Sequence, residues 1–133
     1  MAETTERLEI VTPEKKVFSG DVRFVVIPGE LGQLGILANH APLMSGIKVG
    51  LVKVEQEGKT FKIAVSGGFV EVAKNRVTIL ADTAEREDQI DRERAEKAKE
   101  RAEKRLSEKQ SDLDIKRAEM ALQRALNRLK AAQ

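Results

Sequence analysis

Cysteine, tyrosine and tryptophan are absent from this 133-residue chain, and phenylalanine occurs only four times. Without cysteine there can be no disulfide and no thiolate metal site, which suits a reducing compartment. With so few aromatics, stacking platforms for single-stranded nucleic acid are not available. No apolar run reaches the roughly 18 residues a membrane-spanning helix needs, and the acidic start through Glu6 carries no apolar stretch of a secretory leader. A formal net charge of only +2 gives no general attraction to polyanions. There is no Gly-x-x-x-x-Gly-Lys-[Ser/Thr] phosphate loop, no Gly-x-Gly-x-x-Gly turn and no metal-ligand cluster. The single histidine, His40, has no serine or cysteine nucleophile motif beside it and reads as a loop histidine. An independent enzyme is therefore the least supported class.

What is present falls into two regimes. All nine glycines lie between Gly20 and Gly68, and all three prolines and four phenylalanines precede residue 70. From Thr83 onward there are none of these. That stretch instead holds 14 of the 24 Lys and Arg and 12 of the 22 Asp and Glu, set among Ala and Leu, the composition of exposed helix. The predicted fold is β followed by α: an N-terminal β-sandwich over 1–84 and a C-terminal antiparallel two-helix hairpin over 85–133.

In the front part, Leu8–Thr12, Val22–Ile27, Leu51–Glu57, Thr60–Val65, Val70–Ala73 and Arg76–Leu80 read as short strands. Glu57-Gly58 and Lys74-Asn75 are hairpin turns, and Ser66-Gly67-Gly68-Phe69 is a bend or bulge. In the back part, one helix is predicted from about Ile90 to Leu106, capped by Asp88 with Asp91 three residues on. A second runs from about Leu113 to Ala131, capped by Ser111 or Asp112. Their apolar stripes are thin: Ala95, Ala98, Ala102 and Leu106 in the first, and Ile115, Ala118, Leu122, Ala125, Leu129 and Ala132 in the second.

An alanine seam allows close approach but buries little, about 0.8 kcal/mol per methyl. The helices themselves are rich in strong helix formers and i,i+4 charge pairs such as Glu93–Lys97. They can therefore persist while their packing is lost, and some 42 helical residues laid end to end would reach about 63 Å. Arg94 and Arg101 share one face, as do Arg124 and Arg128. Four guanidinium forks converging from a folded hairpin would suit an anion such as a triphosphate, although spacing alone favours a solvated face. The second helix carries Lys116, Arg117, Arg124, Arg128 and Lys130 against Glu119 from residue 115 onward, so it favours an acidic partner.

These residues, in this order, resemble the epsilon subunit of bacterial F-type ATP synthase. Gly29-Glu30-Leu31-Gly32-Gln33-Leu34-Gly35-Ile36-Leu37-Ala38-Asn39-His40-Ala41-Pro42-Leu43 is similar to that family's Leu-Gly-Ile-Leu-Pro-x-His-x-Pro-Leu signature. Ala38 stands where the family usually has proline, and Gln33 where an acid is common. Ser66-Gly67-Gly68-Phe69-Val70-Glu71-Val72 with Val77-Thr78-Ile79-Leu80-Ala81 resembles its second signature. Ile90-Asp91-Arg92-Glu93-Arg94-Ala95 fits its Ile/Leu-Asp-x-x-Arg-Ala nucleotide motif.

The resemblance implies a ten-stranded β-sandwich docked on the gamma subunit and the c-subunit ring, and a non-catalytic rotor subunit that couples proton flow to ATP synthesis. It implies a mobile hairpin that inhibits ATP hydrolysis when extended toward the alpha and beta subunits. When folded, the hairpin would bind ATP as a regulatory ligand, with or without Mg2+, through Glu85, Asp91, Arg94, Arg101, Arg124 and Arg128. Partner contacts would fall on Lys116, Arg117, Arg124, Arg128 and His40. The protein would be peripheral, at the cytoplasmic face of the cell membrane, with no nucleic acid, no metal site and no catalytic residue of its own. The alternative is a free-standing adaptor whose hairpin binds proteins and no nucleotide.

Overall fold

A computed structural model describes residues 4–108 and 111–133, which divide into a front unit ending at Arg86 and a second unit, Glu87–Gln133. The front unit is built from β1 (Glu6–Val11), β2 (Lys16–Val22), β3 (Phe24–Gly29), β4 (Gly32–Leu37), β5 (Leu43–Gln56), β6 (Lys59–Ala73), β7 (Arg76–Ala81) and β8 (Ala84–Arg86). Seven strands follow the order β2-β1-β7-β6-β5-β3-β4, and β8 pairs with β6. All pairings are antiparallel except β1 with β7.

Period-two patterning explains the layering. In β1, Leu8 and Ile10 are fully buried while Arg7 is exposed and Glu9 between them is half-buried; in β6, Val70 and Val72 point inward and Glu71 outward. These inward residues join Val25, Ile27, Ile63 and Ile79 in one apolar core. On the outer side, Arg7 reaches Ser19 Oγ at 2.9 Å and Asp21 at 3.6 Å, while Arg76 reaches Glu9 at 3.3 Å.

Both predicted hairpin turns form. Glu57 (φ 51°) and Gly58 (φ 77°) join β5 to β6, and Lys74 (φ 53°) and Asn75 (φ 59°) join β6 to β7; two successive positive φ values match the twist of the flanking strands. The bend at Gly67-Gly68 also forms, but it lies within a strand. Thr60–Val65 and Val70–Ala73 are two ends of one continuous β6, whose first half pairs with β8 and whose second half pairs with β7. β5 likewise runs over 14 residues. The described residues therefore hold eight strands instead of the ten implied by resemblance, and counting the halves of β5 and β6 separately restores ten. A Cβ on Gly68 (φ 134°) would collide with the Leu80 carbonyl oxygen, so only glycine permits this bend.

The front unit ends in an aromatic clasp. Arg86 is held in register opposite Ile63, and its guanidinium lies 4.4 Å from the Phe61 ring centre and 5.9 Å from that of Phe18.

The second unit comprises a 3-10 turn, Glu87–Gln89, then α1 (Arg92–Ser107) and α2 (Asp112–Ala131). The predicted cap moves: Asp88 is absorbed into the 3-10 turn, and Asp91 caps α1, its Oδ1 accepting from the Arg94 amide at 3.0 Å. Ser111, not Asp112, caps α2, accepting from the Asp114 amide at 3.3 Å and donating to Asp114 Oδ2 at 2.9 Å. Of the predicted polar link, Lys109 and Gln110 lie outside the described residues.

Candidate functional site

The site is the hairpin. Ala95 and Ala102 of α1 and Ala118 and Ala125 of α2 are each at most 2% exposed, in two pairs spaced seven residues apart. A seven-residue step keeps one stripe facing one neighbour, and methyl side chains let the backbones come close. Ala98, Leu106, Ile115, Leu122 and Leu129 are only half-buried beside this line. At the C-terminal end the buried residue is Ala131, and the predicted Ala132 is half-buried; Ala132 ends the helix as its C-cap.

The charged residues sort by flank. At about 100° per residue, Arg94 and Arg101 fall on one side of the Ala95–Ala102 line, and Arg92, Glu96 and Lys99 on the other. In α2, Arg124 and Arg128 fall on one side of Ala125, and Leu126, Leu129 and Lys130 on the other. Arg92, Glu96, Lys99, Leu126, Leu129, Lys130 and Gln133 together line an open groove of about 490 Å³. Arg94, Arg101, Arg124 and Arg128 therefore share the opposite flank of the hairpin. Arg94 and Arg101 are exposed, whereas Arg124 and Arg128 are half-buried. Asp91, at the start of α1, already commits one carboxylate oxygen to capping. Glu85 belongs to β8 of the front unit, opposite Ala64.

Of the predicted partner residues, Lys116 and Arg117 are exposed near the start of α2. Surface pairs brace α1: Lys97 with Glu93 at 3.5 Å and Lys99 with Glu96 at 3.8 Å. Sequence reasoning did not single out Arg92 or Lys99, because a lateral groove depends on which flank of each helix meets the other.

His40 lies in the exposed loop between β4 and β5, its Nδ1–H donating to the Ala41 carbonyl at 2.7 Å. The same side of the sequence hid a second group. Glu6 is 2% exposed, with no hydrogen-bond partner for either carboxyl oxygen among the described residues, and burial pushes its carboxyl up to about 7 against the opposing charge of His40. Its even-numbered parity with Leu8 and Ile10 was the available signal. The front unit also exposes large apolar side chains, among them Leu31, Met44, Phe69 and Leu80. Phe69 and Leu80 are cross-strand partners. Among the described residues no cluster of His, Asp or Glu could hold a metal ion, and no helix is long and apolar enough to cross a membrane.

Two family models match the chain in tandem: the β-sandwich domain of the ATP synthase delta/epsilon chain over residues 5–87 and its long α-helix domain over residues 88–133. The ATP synthase epsilon chain of Pelotomaculum thermopropionicum is 62% identical over 132 residues, covering 99% of this chain and 98% of the relative. That of Desulforamulus reducens is 61% identical, covering 97% and 98%. Among solved structures, a chain of the Euglena gracilis mitochondrial ATP synthase (OSCP/F1/c-ring) superposes with a TM-score of 0.82 at 27% identity, covering 99% of this chain and 83% of that one. A chain of the Tetrahymena thermophila central stalk and c-ring shares the fold, with a TM-score of 0.66 at 14% identity and full coverage of both.

Proposed function

Because this chain belongs to the ATP synthase delta/epsilon chain family, it is a non-catalytic epsilon subunit of the central stalk, and we propose that its hairpin restrains ATP hydrolysis and is itself controlled by ATP. The front unit docks on the gamma subunit and the c-subunit ring and couples proton translocation to ATP synthesis, as a peripheral protein at the cytoplasmic face of the cell membrane. Its exposed apolar side chains, including the Phe69–Leu80 pair, support a surface made to be covered.

The observation that carries the reading is the seam. Two capped helices, the first braced by surface ion pairs, meet through four fully buried alanines, so each helix survives without the other while their union is easily exchanged. The basic α2 then finds an acidic surface on the alpha and beta subunits through Lys116, Arg117, Arg124 and Arg128. ATP opposes this exchange. The shared flank of Arg94, Arg101, Arg124 and Arg128 takes the phosphates, and Asp91 takes the adenosine end. Ligand at ten times its dissociation constant stabilises the folded form by about 1.4 kcal/mol, a shift of roughly tenfold against so thin a seam.

The test is ATP hydrolysis by the reconstituted complex containing either the whole chain or a chain ending at Arg86. Faster hydrolysis with the shortened chain, at equal incorporation, is expected, and equal rates overturn the inhibitory reading. Calorimetry of the whole chain with ATP, with and without Mg2+, decides the ligand, and absence of heat favours the adaptor reading.

A further inference from the structure

The N-terminal end of the sandwich contains a buried acid that the regulatory reading does not use. Glu6 opens β1 on the same face as Leu8 and Ile10, so its side chain enters the core. Its register partner on β2 is Val22, itself fully buried. Neither carboxyl oxygen has a hydrogen-bond partner among the described residues. A buried carboxyl without hydrogen bonds is tolerated when neutral and strongly disfavoured when charged.

What lies over this end is a stitched pair of loops. Asn75, in the β6–β7 turn, makes three hydrogen bonds to two other segments. Its carbonyl accepts from the Arg7 amide at 3.1 Å, its Nδ2 donates to the Thr5 carbonyl at 2.9 Å, and its Oδ1 accepts from the Asn39 amide at 2.8 Å. The first two bonds flank Glu6 in the chain, and the third holds the loop that carries His40. Asn39 is itself at φ 65°, in the left-handed region that asparagine tolerates at a modest cost. A single side chain therefore fastens the His40 loop to the strand that holds the buried acid.

We propose that Glu6 and His40 form a proton-operated latch, in which ionisation of Glu6 releases or re-seats the 38–42 loop while protonation keeps it fastened. In the protonated state the neutral carboxyl stays inside, and Asn75 keeps the Asn39 bond. When the proton leaves to solvent, the carboxylate needs a cation or water. His40 is the ionisable group that acts on it electrostatically. Meeting it requires the loop to move inward with His40 or outward to admit water, and either motion strains the Asn39–Asn75 bond.

Among the described residues, the other charges nearby point elsewhere. On β2, Asp21 pairs outward with Arg7; on β7, Arg76 pairs outward with Glu9. Arg23, between β2 and β3, bonds Glu55 at 2.8 Å. Lys74 sits at a positive-φ turn position beside Asn75 and is exposed. Burial sets the working range near neutrality, since it raises the Glu6 carboxyl to about 7.

The experiment is NMR of the full-length chain between pH 5 and 9, following the 13C carboxyl of Glu6 and the amides of Asn39 and Asn75, in wild type, Glu6→Gln and His40→Gln. A Glu6 midpoint near 7, with the Asn39 and Asn75 amides moving at the same midpoint, is expected. Glu6→Gln should hold both amides at their low-pH positions throughout, and His40→Gln should raise the Glu6 midpoint. A Glu6 midpoint near that of an ordinary glutamate overturns the latch, as do Asn39 and Asn75 amides that titrate unchanged in Glu6→Gln. The wild-type carboxyl titration decides the matter even if a variant folds poorly.

Discussion

Replacing Ala125 by leucine tests the seam directly. Ala125 is 1% exposed and faces α1 with Ala118 one heptad earlier. The four seam alanines bury one methyl each, roughly 3 kcal/mol in all at about 0.8 kcal/mol per methyl, before ordering entropy is subtracted. Leucine adds three carbons where the helices are closest, and overpacking of that kind costs about 1–3 kcal/mol. The penalty matches what the alanines contribute, and it should lower the ratio of closed to open hairpin by about 5- to 150-fold. The helices themselves should remain, since leucine is as good a helix former as most residues. Spin labels at Glu93→Cys and Lys130→Cys, near the start of α1 and the end of α2, would report the separation by pulsed electron resonance, with far-UV circular dichroism reporting helix content. The expected result is a loss of the short distance at constant helicity, accompanied by stronger inhibition of hydrolysis in the reconstituted complex. Gln123→Leu, at an exposed position, should do neither. An unchanged distance distribution would refute the reasoning, and so would helicity lost in step with separation, because the hairpin would then be one cooperative block.

Arg94→Ala and Arg124→Ala should each weaken ATP binding to the isolated subunit, measured by calorimetry; unchanged affinity removes that residue from the site. Asp91→Ala should cost about 1 kcal/mol through loss of the α1 cap, visible as faster amide exchange in the first turn of α1. Gly68→Ala should destabilise the front unit by more than about 3 kcal/mol, because the new Cβ meets immovable backbone at a positive φ. Gly58→Ala, where φ is also positive but no atom lies within 4 Å, should cost only about 1–2 kcal/mol by denaturant midpoint. Glu6 gives stability a pH dependence of definite sign. The folded state holds this proton up to about 7 whereas the free side chain releases it near 4.5, so stability should fall as pH rises through that window, by up to about 3 kcal/mol, and then level off. Glu6→Gln should remove that slope.

Much of this architecture was legible because local chemistry and tertiary need agree. Glu57-Gly58 and Lys74-Asn75 announced hairpins, since few dipeptides accept two positive φ values in succession. The break in composition near residue 83 separated sheet from helix. Where the sequence misled, the deciding contacts were non-local. β2 contains Ser19-Gly20-Asp21, poor strand formers on their own, and is held extended by pairing with β1. β4 was hidden by its two glycines and its mostly half-exposed pattern. β6 was divided in two because Gly67-Gly68 reads as a terminator, whereas the sheet uses it as a bend. In the hairpin, residue spacing marked the alanine stripes and paired Arg94 with Arg101 and Arg124 with Arg128. It could not reveal the groove behind them, which exists only once two helices meet. Glu6 escaped notice because a glutamate near a polar terminus looks solvated until the parity of its strand is counted.

The stacking of Arg86 on Phe61 fixes more than the end of a strand. Ladder register and aromatic contact both anchor the last residue of the front unit. Under the proposed function, any opening of the arm would be absorbed by the torsions of residues 87–91, just ahead of the Asp91 cap, and would leave the strands of the sandwich undisturbed.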